Sequence, residues 1–307
     1  MNEKIIDMHI HLGNILYPGG AELIEKKGVK KDIKFDIITL SEKMLHFDLG
    51  DKSMEKKVFG KWITLAERAR NLTATRENMR HAMDENGIVA NAVMPIPPYV
   101  NFSDLAAAAE KDKGILPFTG IDFSQLPDVI ESHLAADVAA GAKGLKLHPI
   151  IQKEKLTSAK TFSAIESFMQ YGLPVLCHCG TSSYYPKNEH YMEEPSYGEI
   201  FYVRDLARAF PGVRFIVGHA GLYEVNDVLN MLHPYKNVFI EISFQNPRTI
   251  TRLIKTFGPD KILYGTDWPW GDRLTAIKCV RHACGSDKEL ARRIFYENAA
   301  ELLCINA

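Results

Sequence analysis

Short runs rich in Val, Ile and Leu recur along this chain, and a longer segment with helix-like spacing of apolar positions follows most of them. The runs are Lys4–His11, Ile88–Met94, Gly114–Gly120, Ala142–His148, Pro174–His178, Val213–His219, Val238–Ser243 and Lys261–Asp267. Glycine or proline precedes most of them, as at Gly87, Gly141, Gly172 and Gly212, the punctuation that closes a helix. Strands that are apolar almost throughout and alternate with helices indicate a parallel sheet covered on both faces.

Several helix starts are legible. Thr75–Asn86 opens on a cap-like Thr75-Arg76-Glu77, and Pro127–Ala140 begins with a proline, which a first helical turn tolerates. Ser286-Asp287-Lys288-Glu289 reads as a capping box, with Ser286 answering Glu289, and leads a helix to about Leu303. Eight strand–helix units predict an α/β fold of the closed (β/α)8 type, a TIM barrel. No Gly-x-Gly-x-x-Gly follows the first strand, which argues against an open nucleotide-binding sheet. About seventy residues separate the first two strands, far more than an ordinary connection. We therefore expect one barrel domain over residues 1–307, with 12–74 a helical insertion on the active-site face. That insertion contains the predicted helix Lys61–Asn71 and is suited to a substrate lid or a subunit contact.

Composition narrows the partners. The 307 residues carry a net charge of −1, with 46% hydrophobic and 24% charged residues, so neither nucleic acid nor an anionic membrane is expected. No stretch approaches the roughly 18 apolar residues of a membrane span. Five cysteines, an odd number, do not suggest a disulfide framework, and Met1-Asn2-Glu3-Lys4 runs into the first strand without a secretory pattern. The expectation is a reduced, cytoplasmic protein acting on a small molecule.

The chemistry gathers at strand ends. The first strand closes Asp7-Met8-His9-Ile10-His11, where alternation puts His9 and His11 on one face, able to chelate one cation. Asp7 is expected on that same face, as a support for the histidines or as part of the lower barrel. Later strands end at Lys146-Leu147-His148, Cys177-His178-Cys179, Gly218-His219-Ala220 and Thr266-Asp267-Trp268. In a (β/α)8 barrel these ends meet at the carboxyl face, where catalytic groups are placed. Burying so many polar groups is costly unless something pairs with them, and a cation does so. By alternation Cys177 and Cys179 point away from the mouth and read as core residues. Glu241 and Ser243 share a face and are open to a substrate or a structural role. Tyr184, Tyr185, Tyr191 and Tyr197 mark a loop that closes over substrate or packs between subunits. His46, His81, His133, His190, His233 and His282 lie off the strand ends and read as surface residues.

As a set, Ile6-Asp7-Met8-His9-Ile10-His11, Gly144-Leu145-Lys146-Leu147-His148-Pro149, Phe215-Ile216-Val217-Gly218-His219-Ala220-Gly221, Tyr264-Gly265-Thr266-Asp267-Trp268-Pro269 and Glu297-Asn298-Ala299-Ala300 resemble the amidohydrolase superfamily. The likeness is nearest to its amidohydrolase-2 group, which includes aminocarboxymuconate-semialdehyde and γ-resorcylate decarboxylases. The resemblance implies that His9, His11, His178 and Asp267 hold one divalent metal and that His219 is the nearby catalytic histidine. Zn²⁺ suits these donors best, and Mn²⁺ or Fe²⁺ fits them too. Some relatives bridge two metals through a carboxylated lysine of the fourth strand. Here the Lys-Leu-His-Pro run is more like the single-metal group, so Lys146 and His148 are expected to face substrate or to support the metal ligands from behind. A homodimer is the family-level expectation.

The first functional expectation is a metal-dependent hydrolase of a small organic substrate, with Asp267 as base and His219 stabilising or protonating. The alternative is non-oxidative decarboxylation of an aromatic or unsaturated carboxylic acid at the same site. A basic residue placed to hold a substrate carboxylate would favour that alternative. A catalytically inactive binding barrel should have lost some of the strand-end residues, and none is missing.

Overall fold

The computed structural model describes residues 4–45 and 53–305. Its strands are β1 (Ile5–Ile10), β2 (Ile88–Val93), β3 (Ile115–Pro117), β4 (Thr119–Gly120), β5 (Leu145–Leu147), β6 (Val175–Cys177), β7 (Phe215–Val217), β8 (Val238–Glu241) and β9 (Ile262–Leu263). All neighbouring pairs are parallel and follow chain order, β1 to β3 and β4 to β9. β3 and β4 are halves of the third predicted strand, parted at Phe118, whose N–H donates to Val93 O at 3.0 Å. The first and last strands meet as well: Met8 N donates to Tyr264 O (2.9 Å), Asp267 N to His9 O (2.7 Å) and His11 N to Trp268 O (2.8 Å). This is the TIM-barrel architecture expected from the eight apolar runs.

The observed strands stop short of the predicted ones, and the reason bears on the site. His148, His178, His219 and Asp267 all lie just past a ladder's end, where the backbone turns out of the sheet. His219 and Asp267 take φ angles of 58° and 56°, in the left-handed region. Such backbones cost about 1–3 kcal/mol and persist where the surroundings hold them, as at functional centres.

Two apolar clusters build the core. One contains outward strand residues such as Leu145, Leu147, Val175 and Cys177, together with helix residues such as Ile165, Leu206 and Leu253. The other joins Met8, Ala92, Phe118, Leu176, Ile216 and Leu263 to Ala299, Leu302 and Leu303 of the last helix. Since Leu176 and His178 share a face, this second cluster fills the barrel beneath the polar centre. Cys177 and Cys179 are buried free thiols in the first cluster, and burial pushes Cys177 up to about 12.

Helix α1 (Ile37–Leu45) and helix α2 (Ser53–Asn71) form much of the segment between the first two barrel strands. α2 begins eight residues before the predicted Lys61. Arg70 fastens it: Nε donates to Asp36 Oδ2 (2.9 Å), Nη2 to Glu42 Oε2 (2.8 Å), and Nη1 to Trp270 O of the last barrel loop. Thr75 caps the helix Arg76–Asn86 as expected, accepting from Asn78 N at 3.1 Å. At the C-terminus the cap is Asp287, which accepts from Leu290 N at 2.9 Å, one residue later than the expected Ser286. The carboxylate sits where its charge also favours the helix N-terminus. Among the described residues no helix is long and apolar enough to cross a membrane.

Candidate active site

At the carboxyl ends of the strands His9, His11, Lys146, His148, His178, His219 and Asp267 are all buried. The two first-strand histidines are held by their Nδ1 atoms. His9 Nδ1 lies 2.9 Å from Glu241 Oε2, and His11 Nδ1 lies 2.9 Å from Met94 O. Both partners are acceptors, so each Nδ1 carries the proton and each Nε2 presents a lone pair. Those Nε2 atoms converge on one oxygen: Asp267 Oδ1 is 3.5 Å from His9 and 3.4 Å from His11. That oxygen is buried and has no hydrogen-bond partner.

His9, His219 and Asp267 are a group whose ligand atoms lie within 4.8 Å of one another. The His219 ring stacks on His9 with centroids 4.7 Å apart. Its Nδ1 is 2.7 Å from Ser243 Oγ and its Nε2 is 3.1 Å from His178 Nδ1. His178 Nε2 meets Gly180 O at 3.1 Å, and its ring stacks on His148 at 4.2 Å. His178 is thus joined to the centre through His219, while His148 backs it and accepts from Ile151 N at 3.4 Å. Lys146 Nζ lies 2.8 Å from His9 Nε2.

Burial dominates the electrostatics. It holds His9, His11, His148 and His219 well below the ordinary imidazole value, with neighbouring cationic groups acting in the same direction. It lowers Lys146 to about 8 and raises Glu241 to about 7 and Asp267 well above the carboxylate range. Neutral imidazoles and carboxylates brought out of water are the state in which a divalent cation is the natural counter-group.

Asp7 departs from the expectation of a shared face with His9 and His11. The register shifts between Asp7 and Ile10, and Asp7 turns to Thr266, accepting from its N (3.0 Å) and Oγ1 (2.6 Å). Arg273 Nε approaches Asp7 at 3.5 Å, and burial raises Asp7 to about 6. Asp7 therefore anchors the residue immediately before Asp267.

Glu241, which the sequence left between two roles, supports the whole centre: besides His9 it accepts from His219 N (2.9 Å) and Ser243 Oγ (3.1 Å). Two aromatic walls complete the site. Tyr184 OH is 3.4 Å from His178 Nε2, and the Trp270 ring lies 5.2 Å from that of His11. Trp270 escaped the sequence reading, although its place three residues after Asp267 was a usable signal. Of the tyrosine-rich loop, Tyr184 and Tyr185 are buried while Tyr191 is exposed. His81, His133, His190, His233 and His282 are exposed, and His46 lies outside the described residues.

A bound divalent cation fits these residues by two observations. The unpartnered Asp267 oxygen is one. The other is spacing: ligands about 2.1 Å from a tetrahedral ion stand about 3.4 Å apart, and the His9–Asp267 and His11–Asp267 distances are 3.5 and 3.4 Å. A carboxylate on the far nitrogen of a histidine, as Glu241 is on His9, is the usual support of a metal-binding imidazole.

An α/β barrel with a buried His–Asp centre at its strand ends has the form of a barrel enzyme. The chain belongs to the amidohydrolase family, whose amidohydrolase-2 model matches residues 6–305. No curated protein sequence matches it. Among solved structures it is similar to 5-carboxyvanillate decarboxylase from Sphingomonas paucimobilis, at 13% identity and TM-score 0.63, covering 99% of this chain and 100% of that one. A probable 2-pyrone-4,6-dicarboxylic acid hydrolase from Acinetobacter baumannii aligns at 13% identity and TM-score 0.60, over 99% and 100%. A dihydroxybenzoic acid decarboxylase from Polaromonas sp. JS666, with bound manganese and 2-nitroresorcinol, aligns at 15% identity and TM-score 0.65, over 99% and 98%.

Proposed function

We propose that this chain is a metal-dependent enzyme acting on an organic acid, with His9, His11, His178 and Asp267 holding one divalent cation. The observation that carries the proposal is the convergence of two proton-free Nε2 atoms on the unpartnered Asp267 oxygen. The donor set suits Zn²⁺ chemically, and the manganese of a structural neighbour supports Mn²⁺ equally. When bound, the cation would supply a Lewis-acid centre for oxygen atoms of the substrate.

We read the reaction first as non-oxidative decarboxylation. Lys146, buried with its Nζ 2.8 Å from His9 Nε2, supplies a cation at the centre toward which a substrate carboxylate would be drawn. Two of the three neighbours named above are decarboxylases. In this reaction the carbon–carboxyl bond breaks, carbon dioxide leaves, and the vacated carbon takes a proton. Asp267 moves that proton, while His219, fixed by Ser243 and His178, orients the substrate. Tyr184, Trp270 and Phe244 exclude bulk water. Hydrolysis is the second reading, favoured by the same Asp267 acting as base toward water and by the likeness to a pyrone hydrolase. Residues 12–74 are proposed to cap this face of a single barrel domain.

The test is a panel of aromatic and unsaturated carboxylic acids offered to metal-loaded protein, with carbon dioxide and acid release measured together. Carbon dioxide equal to substrate consumed supports decarboxylation. Ring or ester opening without carbon dioxide selects hydrolysis, and inertness across the whole panel would overturn the enzymatic reading.

A further inference from the structure

Arg273 opens the helix Arg273–Cys284 and is the largest fully buried side chain among the described residues, 2% exposed. Burial takes a guanidinium out of water, and the start of a helix is the end that disfavours cations. Exchanging a buried ion pair for apolar groups of like volume is often neutral for stability or favourable. A cation kept in such a place calls for a use, and neither the candidate metal ligands nor the proton-moving groups include it.

The contacts of Arg273 converge on Asp267 from both sides along the chain. Toward the preceding residue, Arg273 Nε faces Asp7 Oδ2 at 3.5 Å, and the same oxygen accepts from Thr266 Oγ1 at 2.6 Å. Asp7 Oδ1 accepts from Thr266 N at 3.0 Å, so one carboxylate grips Thr266 by backbone and side chain. Toward the following residue, the guanidinium lies over the Trp268 ring, 5.2 Å from its centroid and within cation–π range. Trp268 N in turn donates to Thr266 Oγ1 at 3.2 Å, which joins the two arms around Asp267.

The guanidinium is itself held by parts of the barrel outside the site. Nη1 donates to Met79 O of the helix Arg76–Asn86 at 3.2 Å, and Nη2 to Asn91 Oδ1 of β2 at 3.0 Å. Tyr264 OH donates to Arg273 O at 3.2 Å. Between the two arms Asp267 keeps its left-handed φ of 56°, a backbone that persists only where its surroundings hold it.

We propose that Arg273 is a positioning residue for Asp267. Through Asp7 it holds Thr266, through its own face it holds Trp268, and the strained residue between them stays aimed at His9 and His11. What the buried cation supplies is the direction of one carboxylate rather than net stability. Only the consequence for metal binding rests on the role proposed above for Asp267; its placement does not.

Arg273→Lys keeps a cation for Asp7 but lacks the planar fork that reaches Met79, Asn91 and Trp268 together. Thr266→Val and Trp268→Leu each remove one arm and leave Arg273 in place, so they decide the matter if Arg273→Lys does not fold. Crystal structures of the metal-free variants should show Asp267 out of the left-handed region, with Oδ1 withdrawn from His9 and His11. Titration of the full chain with Co²⁺, followed by its visible absorption, reads affinity and ligand geometry together. Affinity should fall at least about tenfold in each variant, with a changed spectrum, as for other partners that orient a metal ligand. Thr266→Ser, which keeps the hydroxyl, should restore both. An unmoved Asp267, or unaltered Co²⁺ affinity and spectrum in all three variants, would overturn the proposal however much thermal stability is lost. If the unsubstituted chain takes up no Co²⁺, the metal reading fails, and the metal-free structures still decide what Arg273 does.

Discussion

His9 Nε2 and Asp267 Oδ1 stand 3.5 Å apart although 258 positions separate them in sequence, and the Asp267 oxygen has no donor to satisfy it. The chain brings them together through a direct strand contact, with Asp267 N donating to His9 O at 2.7 Å. Purified protein reconstituted with Mn²⁺ or Zn²⁺ should therefore hold one ion per chain by elemental analysis. Glu241→Gln, which weakens the support of His9 Nδ1, should lower metal affinity about 10- to 100-fold. Unchanged affinity would remove Glu241 from that role.

Asp267→Asn keeps the shape of the side chain and removes its capacity to carry a proton at neutral pH. Turnover should fall by at least about 10³-fold, with the thermal midpoint moved by only a few degrees. Retained turnover would exclude Asp267 as the group that moves the proton, whichever reaction the product assay selects.

The barrel and most of its centre were legible in the sequence because eight apolar runs end in chemically distinctive residues. What alternation could not supply was local irregularity. It put Asp7 beside His9 and His11, and the register shift before Ile10 turned Asp7 to Thr266 instead. Nor does alternation say that the His148 ring stacks on His178 while Lys146 reaches His9. Glu241 looked ambiguous because its role depends on three partners from distant strands, and a single sequence gives no measure of such convergence.

Arg70 links that insertion to the last barrel loop, and its side chain and that of Glu42 are only 7% and 6% exposed. Arg70→Ala would leave Glu42 buried without its cation, at a cost of about 3 kcal/mol. Glu42 Oε1 also accepts from Asp272 N at 2.7 Å, so the loop carrying Trp270 should loosen too. Hydrogen exchange should rise in α1, α2 and residues 268–272 before it rises in the strands. Uniform acceleration throughout the barrel would contradict a local clamp.

Asp36 gives the same clamp a pH dependence. Although burial opposes it, hydrogen bonds from Lys31 and Arg70 hold the Asp36 carboxyl well below the usual carboxylate range. A depressed carboxyl stabilises the fold fully above the unfolded value of about 3.9, and that contribution is lost as pH falls below it toward the folded value. Tryptophan fluorescence should report release of the insertion, which carries Trp62, below about pH 4. Asp36→Asn should be less stable at neutral pH and show a flatter acid limb. An unchanged acid limb would remove Asp36 from the transition.

Gly265 shows how closely the centre is packed. A β-carbon there would overlap the carboxylate of Glu241, which lies against the glycine and supports both His9 and His219. The restriction is one of space. Gly265→Ala should cost about 1–3 kcal/mol as an overpacked core substitution. It should also reproduce the weakened metal binding of Glu241→Gln, because the methyl group displaces the same carboxylate. Gly212→Ala, at a glycine whose added β-carbon meets nothing within 4 Å, is the control and should leave metal affinity unchanged. Stability loss in Gly265→Ala without loss of metal affinity would mean that Glu241 can move and still support His9.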